Sequence, residues 1–571
     1  MSLSGNACRL GAVLGMLVAS AAPLFAQPAG RPNILVVVAD DLGYSDLGAF
    51  GGEISTPTLD GLAAQGTLLT SFYTAPFCSP TRAMLMTGTD NHQAGFGAMT
   101  ELIPPEIREN PGYEGFLNDH ALAFPQLLQQ DGYRTYLTGK WHLGTTPERS
   151  PAMRGFDHSY ALVQGGAGHF DQTGIIAVDP AVRPKALYRE DGQEVDLPQD
   201  FYSSQFFVDR MIDYLEADKD SDQPFFAYLG FTAPHWPLQA RAEDIAKYDG
   251  AYADGYDALR ARRVSAMKDK SIIPAGAEVY PGNPAWPHWD TLAPHIQKAE
   301  ARRMAVYAAM VDSMDRELGR LIDYLDASGD LDNTFIVFLS DNGADGNTAA
   351  DVARTREWIE QTFDNSVENT GMPDSYIDYG PGWAQVGSTP LRHFKAFLYE
   401  GGIRAPAFAV LPKSQRSGRG GVSAAFTHVM DVAPTILDIA GVAPAGDSFG
   451  GQPVHPMQGA SMLPFLRGEA DAVHGPDHVT GWELQGRKAL RKGNWKIVYA
   501  NPPWGTDRWE LFDLSKDPSE MTDLSAQMPD KVAELDAEYQ VWAARNGVLD
   551  LTGLGRTVGY SNGMEYYNDI P

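Results

Sequence analysis

The stretch Cys78-Ser79-Pro80-Thr81-Arg82, followed by Leu85-Met86-Thr87-Gly88, packs the most chemistry into the fewest residues. The chain has two cysteines. The other, Cys8, lies in a segment expected to be removed, so the mature chain has no partner for an internal disulfide. A lone cysteine is often an inert buried thiol. Here Pro80 fixes the backbone two residues on, and Arg82 supplies a cation four residues on. The residues after Arg82 read as the start of a buried helix, and a helix N-terminus favours anions.

Other candidates sit at the ends of apolar runs. Asn33-Ile34-Leu35-Val36-Val37-Val38-Ala39 ends in Asp40-Asp41, and Phe335-Ile336-Val337-Phe338-Leu339 ends in Ser340-Asp341-Asn342-Gly343. Asp40, Asp41, Asp341 and Asn342 are four hard oxygen side chains, a set that suits Ca²⁺ or Mg²⁺ rather than zinc. Tyr133 to Leu137 leads into Gly139-Lys140-Trp141-His142, and an extended end there would point Lys140 and His142 to one side. Phe225 to Leu229 leads to Thr232-Ala233-Pro234-His235-Trp236-Pro237, where two prolines hold His235 in a rigid loop. Lys395 lies in Leu391-Arg392-His393-Phe394-Lys395. Taken singly, each also reads as a plain turn, a satisfied histidine or a solvated lysine. Together they offer oxygen ligands, three cations (Arg82, Lys140, Lys395) and two proton carriers (His142, His235).

The elements that must position these residues are those of an α/β protein. Both key runs are continuously apolar and rich in β-branched residues, as in parallel strands buried on both faces. Ligands in such folds gather at the carboxyl ends of strands. A further strand is expected over Thr67 to Phe72, delivering the chain to Cys78. Helices are expected over Leu122 to Gln130, Lys298 to Leu325 and Met430 to Ala440. The stretches 239–294 and 344–389 read as irregular, the first as an insertion or lid. Runs at His478–Leu484, Arg487–Arg491, Trp495–Tyr499 and Leu511–Leu514, then a helix over Asp530–Asn546, suggest a small antiparallel sheet with one packed helix. The expected organisation is a signal peptide at 1–26, a catalytic α/β domain at 31–455, a C-terminal antiparallel-sheet domain at 456–550 and a tail at 551–571.

The combination resembles the formylglycine-dependent sulfatase family of the alkaline phosphatase superfamily, and within it the bacterial arylsulfatases. The matching elements occur in the family's order: Asp40-Asp41, Cys78-Ser79-Pro80-Thr81-Arg82, Gly139-Lys140-Trp141-His142, Pro234-His235 and Asp341-Asn342-Gly343. The resemblance runs from about Pro32 to Asn546. It implies a mixed or parallel sheet sandwiched by helices, with a small α+β domain at the C-terminus. It implies that Cys78 is oxidised to Cα-formylglycine by a formylglycine-generating or sulfatase-maturating enzyme. It also implies that Cys78, Asp40, Asp41, Asp341 and Asn342 bind the metal, and that the hydrated aldehyde attacks the sulfur of a small-molecule sulfate ester. In that scheme Arg82 eases formation of the oxyanion, and Lys140, His235 and Lys395 bind the substrate. His235 with Lys395 serves the leaving oxygen, and His142 takes the proton that releases sulfate.

Two rival readings follow from the same residues: a phosphonate monoester or phosphodiester hydrolase on the same fold, and a non-catalytic binding protein for sulfated ligands. A thiol-based Cys–His hydrolase would leave the four oxygen ligands unexplained. The chain has 571 residues and a net charge of −29, which makes nucleic acid an unfavourable partner. Arg9 followed by the apolar run Gly11 to Ala26 reads as a secretory signal cut after Ala26, with a cut after Ala21 as the alternative, and too short to span a bilayer. The expectation is a soluble exported protein with no membrane partner, periplasmic if the source is Gram-negative.

Overall fold

The computed structural model describes Met1 and residues 30–552, apart from Val178, Val352 and Ser417. The expected signal segment (beyond Met1) and nearly all of the expected tail lie outside the described residues. The strand Asn33–Ala39 sits near the middle of a ten-stranded sheet. It pairs in parallel with Phe225–Gly230 on one side and Thr334–Ser340 on the other. Arg134–Lys140 and then His158–Leu162 extend the parallel set. Ala407–Val410 joins antiparallel beside Thr334–Ser340, so the sheet is mixed.

Alternation along the first strand explains its unbroken apolar sequence. Leu35 and Val37 enter one core, while Ile34, Val36 and Val38 enter the other. The helix Pro294–Ser328 covers the first face through residues such as Met304, Val311 and Leu318. The helices Cys78–Thr87 and Val432–Ala440 cover the second, through Met84, Leu85 and Ile436.

A separate four-stranded antiparallel sheet follows, formed by Val479–Leu484, Arg487–Lys492, Trp495–Tyr499 and Trp509–Asp513. Helix Pro529–Asn546 packs Leu535, Tyr539 and Trp542 on one of its faces, against Leu490, Ile497 and Leu511. The other face joins the main core through Trp482, Leu484, Val498 and Phe512. Lys496, fully buried, crosses this junction to Glu400 (2.9 Å) and Glu520 (2.8 Å).

Three expectations need correction. The strand expected over Thr67 to Phe72 is split into Thr67–Leu69 and Phe72–Tyr73, which lie in different sheets. The break falls where the Thr70 carbonyl is taken by side chains, the Tyr44 hydroxyl (2.8 Å) and Arg404 Nε (2.5 Å). The stretch 239–294 is not irregular throughout, since Gly255–Asp269 is a helix. One of its inward residues is a charge, Arg263, paired with Asp46 and with Glu53 (2.8 Å), which interrupts the apolar period set by Tyr256, Leu259 and Met267. The stretch 344–389 holds the helices Ala353–Thr362 and Gly380–Gly387. The second begins Gly-Pro-Gly and is buried along its whole length, so composition pointed to a loop where packing makes a helix.

Candidate active site

The parallel strands deliver their carboxyl ends to one place. Asp40 and Asp41 follow Ala39, Asp341 and Asn342 follow Ser340, Lys140 ends its own strand, and His235 lies five residues beyond Gly230. Backbone hydrogen bonds lock the ends together: Asp341 N–H donates to Ala39 C=O and Asp40 N–H to Ala233 C=O, each at 3.1 Å. Gly139 permits the close approach. It has φ 102°, and a Cβ there would stand 1.8 Å from the Gly230 carbonyl oxygen.

Cys78 is the first residue of the helix Cys78–Thr87, all of which is buried. Pro80 falls in the first turn, where a missing N–H costs no hydrogen bond. Gly88 (φ 63°) closes the helix in the left-handed region. Cys78 Sγ lies in a triad with carboxylate oxygens of Asp40 and Asp341, all within 4.8 Å of one another. Asp40, Asp41 and His235 form a second such triad. Burial pushes the Cys78 thiol up to about 12, against the pull of Lys140 and Lys395, so a thiolate is disfavoured here.

Each carboxylate meets a cation. Arg82 reaches Asp341 through Nε (2.9 Å) and Nη2 (2.8 Å), and its Nη1 donates to the Lys140 carbonyl (2.8 Å). Lys140 Nζ donates to both oxygens of Asp40, at 2.8 and 2.7 Å. Lys395 Nζ bridges Asp41 (2.8 Å) and Asp345 (3.0 Å). Burial raises Asp40 well above the ordinary carboxylate range despite Lys140. At Asp41 burial acts the same way but is outweighed by Lys395 and His235, so this carboxyl is lowered.

The donor set suits a hard divalent cation. Asn342 Nδ2 donates to Asp41 (2.6 Å), but its Oδ1 is buried and accepts no hydrogen bond among the described residues. An orphaned buried carbonyl beside three carboxylates is what an oxygen-ligated cation needs, and what an apolar or purely hydrogen-bonded site would not tolerate.

The two histidines are held differently. His235 Nδ1 donates to the Trp236 carbonyl, and Nε2 faces Asp41 at 3.4 Å. That nitrogen carries a proton only in the imidazolium form, which burial opposes and Asp41 favours. His142 places Nε2 3.3 Å from Glu101 Oε1, and its Nδ1 is buried without a partner among the described residues. Burial lowers His142 below the usual imidazole value, so the neutral ring donates Nε2–H to the carboxylate. The extended geometry expected through His142 does not occur: its φ is 56°, in the left-handed region.

Cys78, His142, His235 and Lys395 open on one cavity of about 240 Å³. Its outer walls are mainly apolar, with Met99, Leu102, Ile175 and Trp236 prominent.

Residues 32–442 match the family model described as Sulfatase, and residues 392–542 match the one described as N-sulphoglucosamine sulphohydrolase, C-terminal. The chain belongs to the sulfatase family. It is similar to an uncharacterized sulfatase of Schizosaccharomyces pombe, at 44% identity over 91% of this chain and 94% of that one. It is also similar to an arylsulfatase of Klebsiella aerogenes, at 38% identity over 80% of this chain and 96% of the relative. Among solved structures it resembles Ps i-CgsB in complex with k-i-k-neocarrahexaose, with TM-score 0.62, 25% identity and coverage of 92% and 96%. The fold is the alkaline-phosphatase-like one of the sulfatases, and the chain is a sulfuric ester hydrolase by family.

In this sulfatase all ten residues singled out from sequence cluster at the carboxyl ends of the parallel strands. Sequence reading missed three neighbours. Asp345 shares Lys395 with Asp41 and accepts from Trp236 Nε1 (2.9 Å). It lies four residues beyond Asp341 in the loop that follows the strand, which was a signal. Trp236 adjoins His235 in the same proline-bracketed loop, which was a signal. Glu101 lies on a short 3-10 turn, Thr100–Leu102, far from any motif, and nothing local marks it.

Proposed function

We propose that this sulfatase hydrolyses sulfate monoesters with compact, mainly apolar leaving groups, aryl sulfates among them, releasing an alcohol and inorganic sulfate. The observation that carries this is the convergence of three buried cations and the oxygen donors on Cys78, inside a cavity with apolar outer walls. Charge supports it. Asp40, Asp41, Asp341 and Asp345 carry four formal negative charges against three positive ones on Arg82, Lys140 and Lys395. A divalent cation would offset this excess of carboxylate charge and leave the lysines and arginine free to meet a singly charged sulfate ester.

When present, an aldehyde hydrate made from Cys78 and a cation held by Asp40, Asp41, Asp341 and Asn342 would supply a nucleophilic oxygen and neutralise its charge. Ca²⁺ fits this set, and Mg²⁺ is the alternative. The chain's own residues do the rest. Arg82 fixes Asp341 and adds positive charge beside Cys78. Lys140 and Lys395 offer N–H donors to the ester's non-bridging oxygens as charge shifts onto them. Lys395 holds a proton near the leaving oxygen, and His235 adds one there only in its imidazolium form, with Asp41 beside it. His142, neutral, accepts a proton when sulfate departs. The apolar walls exclude water from the leaving group. Cys78 is only 1% exposed, so a maturation enzyme must reach it before folding ends. The same reading places the mature chain outside the cytoplasm after removal of 1–26.

The test is a digest of the purified active protein, with the mass of the Cys78 peptide read with and without an aldehyde-reactive hydrazine. A hydrazone at Cys78 is expected, together with faster cleavage of an aryl sulfate than of the matching aryl phosphonate monoester. A free, alkylatable thiol in fully active protein would overturn the mechanism. Preference for the phosphonate would overturn the substrate assignment alone.

A further inference from the structure

We infer that Glu101 is a positioning residue for His142, setting its tautomer and orientation for the step that releases sulfate. The inference rests on the sulfatase reading above. His142 is 4% exposed and has one hydrogen-bonding neighbour for its ring, the Glu101 carboxylate, at 3.3 and 3.4 Å from Nε2. Its Nδ1 is buried and has no partner among the described residues. A carboxylate accepts and cannot donate, so the proton of the neutral ring sits on Nε2 and the lone pair on Nδ1. A carboxylate that orients an imidazole and stabilises its protonated form is the logic of acid–histidine dyads generally.

The ring is also held from the other side. A Cβ on Gly165 would stand 2.8 Å from His142 Cε1 and 3.0 Å from Nε2, so only glycine lets the ring lie against the chain there. The backbone at His142 is itself in the left-handed region, at φ 56°. Ring, glycine and carboxylate thus fix one orientation at the wall of the cavity that Cys78 also lines.

The step needs one base. A formylglycine hydrate made from Cys78, if sulfated, would lose the proton of its remaining hydroxyl as its C=O bond re-formed and its C–O bond to sulfate broke, with the electron pair leaving on sulfate. The proton goes to Nδ1 of His142, and the imidazolium is then paired with Glu101. Attack on the ester does not use this base, so the effect of Glu101 is confined to the second half of the reaction.

The experiment is Glu101→Gln in matured, cation-loaded enzyme. The expected result is a fall in kcat on the order of 100-fold with KM falling in parallel. kcat/KM should stay within about twofold of wild type for aryl sulfates of differing leaving groups. The sulfated Cys78 peptide should accumulate by mass spectrometry. His142→Ala should give the same pattern, and the double variant should be no worse than either. In unmatured thiol protein, imidazole ¹⁵N shifts should report the Nε2–H tautomer of His142 in wild type and a mixture in Glu101→Gln. Should Glu101→Gln not fold, Glu101→Asp keeps the charge at shorter reach and should accumulate less adduct with the same kinetic split. A fall in kcat/KM that varies with the leaving group would overturn the inference and make Glu101 part of the substrate wall. So would the absence of any adduct. A wild type that cleaves no sulfate ester would instead sink the parent reading.

Discussion

Arg82 holds Asp341 through two nitrogens, Nε at 2.9 Å and Nη2 at 2.8 Å, with both side chains fully buried. Both nitrogens converge on Asp341 Oδ2, and the planar guanidinium brings them there together in a way a lysine ammonium cannot. Arg82→Met leaves a buried carboxylate uncompensated and is expected to cost about 3–5 kcal/mol in denaturant unfolding of cation-free protein. Arg82→Lys should recover part of that stability and little of the activity. A loss below about 1 kcal/mol for Arg82→Met would mean that Asp341 finds its charge partner elsewhere.

A cation at Asp40, Asp41, Asp341 and Asn342 would bind the native chain and not the unfolded one. At 100 times its dissociation constant it should therefore add about 2.7 kcal/mol to the unfolding free energy. The orphaned Asn342 Oδ1 gives the sharper form of the prediction. Asn342→Ala should reduce the Ca²⁺-dependent rise in melting temperature, and a chelator should reverse the rise in wild type. If neither Ca²⁺ nor Mg²⁺ changes the melting temperature, the oxygen cluster is not a cation site.

Motif residues were legible in the sequence because strand ends concentrate them: an apolar run announces the strand, and the polar residue after it announces the site. Asp40, Asp341 and Lys140 are of this kind. Lys395 was harder, because the long stretch before it hides two helices, one glycine-rich and wholly buried. Glu101 was illegible, since its role comes from a contact with His142, 41 residues away, made by a turn with no periodic pattern. The helix Gly255–Asp269 was masked by Arg263, a charge in the position where an apolar residue would have marked the buried face. Local pattern reveals residues that the backbone places, and misses those that only tertiary contact places.

Trp236 closes one side of the cavity, with its ring 4.7 Å from that of His235 and its Nε1 donating to Asp345 at 2.9 Å. Removing the ring in Trp236→Ala should lower kcat/KM for an aryl sulfate about tenfold, equivalent to about 1.4 kcal/mol. A short alkyl sulfate, which cannot reach the ring, should be less affected. Trp236→Phe keeps an aromatic wall and loses the N–H, so it should retain most of the aryl preference. Equal losses on aryl and short alkyl esters would show that the indole serves Asp345 rather than the leaving group.

His92 joins the turn after the Cys78 helix to the C-terminal sheet. Its Nδ1 is 2.9 Å from Asp90 and its Nε2 is 3.6 Å from Glu483, and the ring is buried. Burial opposes charge on the ring, but Asp90 and Glu483 outweigh it and hold the imidazole up at about 9. The folded value lies above the ordinary one of about 6.5, so the native state binds this proton more tightly than the unfolded chain does. The stabilisation is therefore complete below about pH 6.5 and is lost as pH rises toward 9, a change on the order of 3 kcal/mol. His92→Gln should be less stable than wild type at pH 6, and its unfolding free energy should vary less with pH over that window. If wild type keeps the same stability from pH 6.5 to 9, the ring is neutral in the fold and the contact is a hydrogen bond without charge.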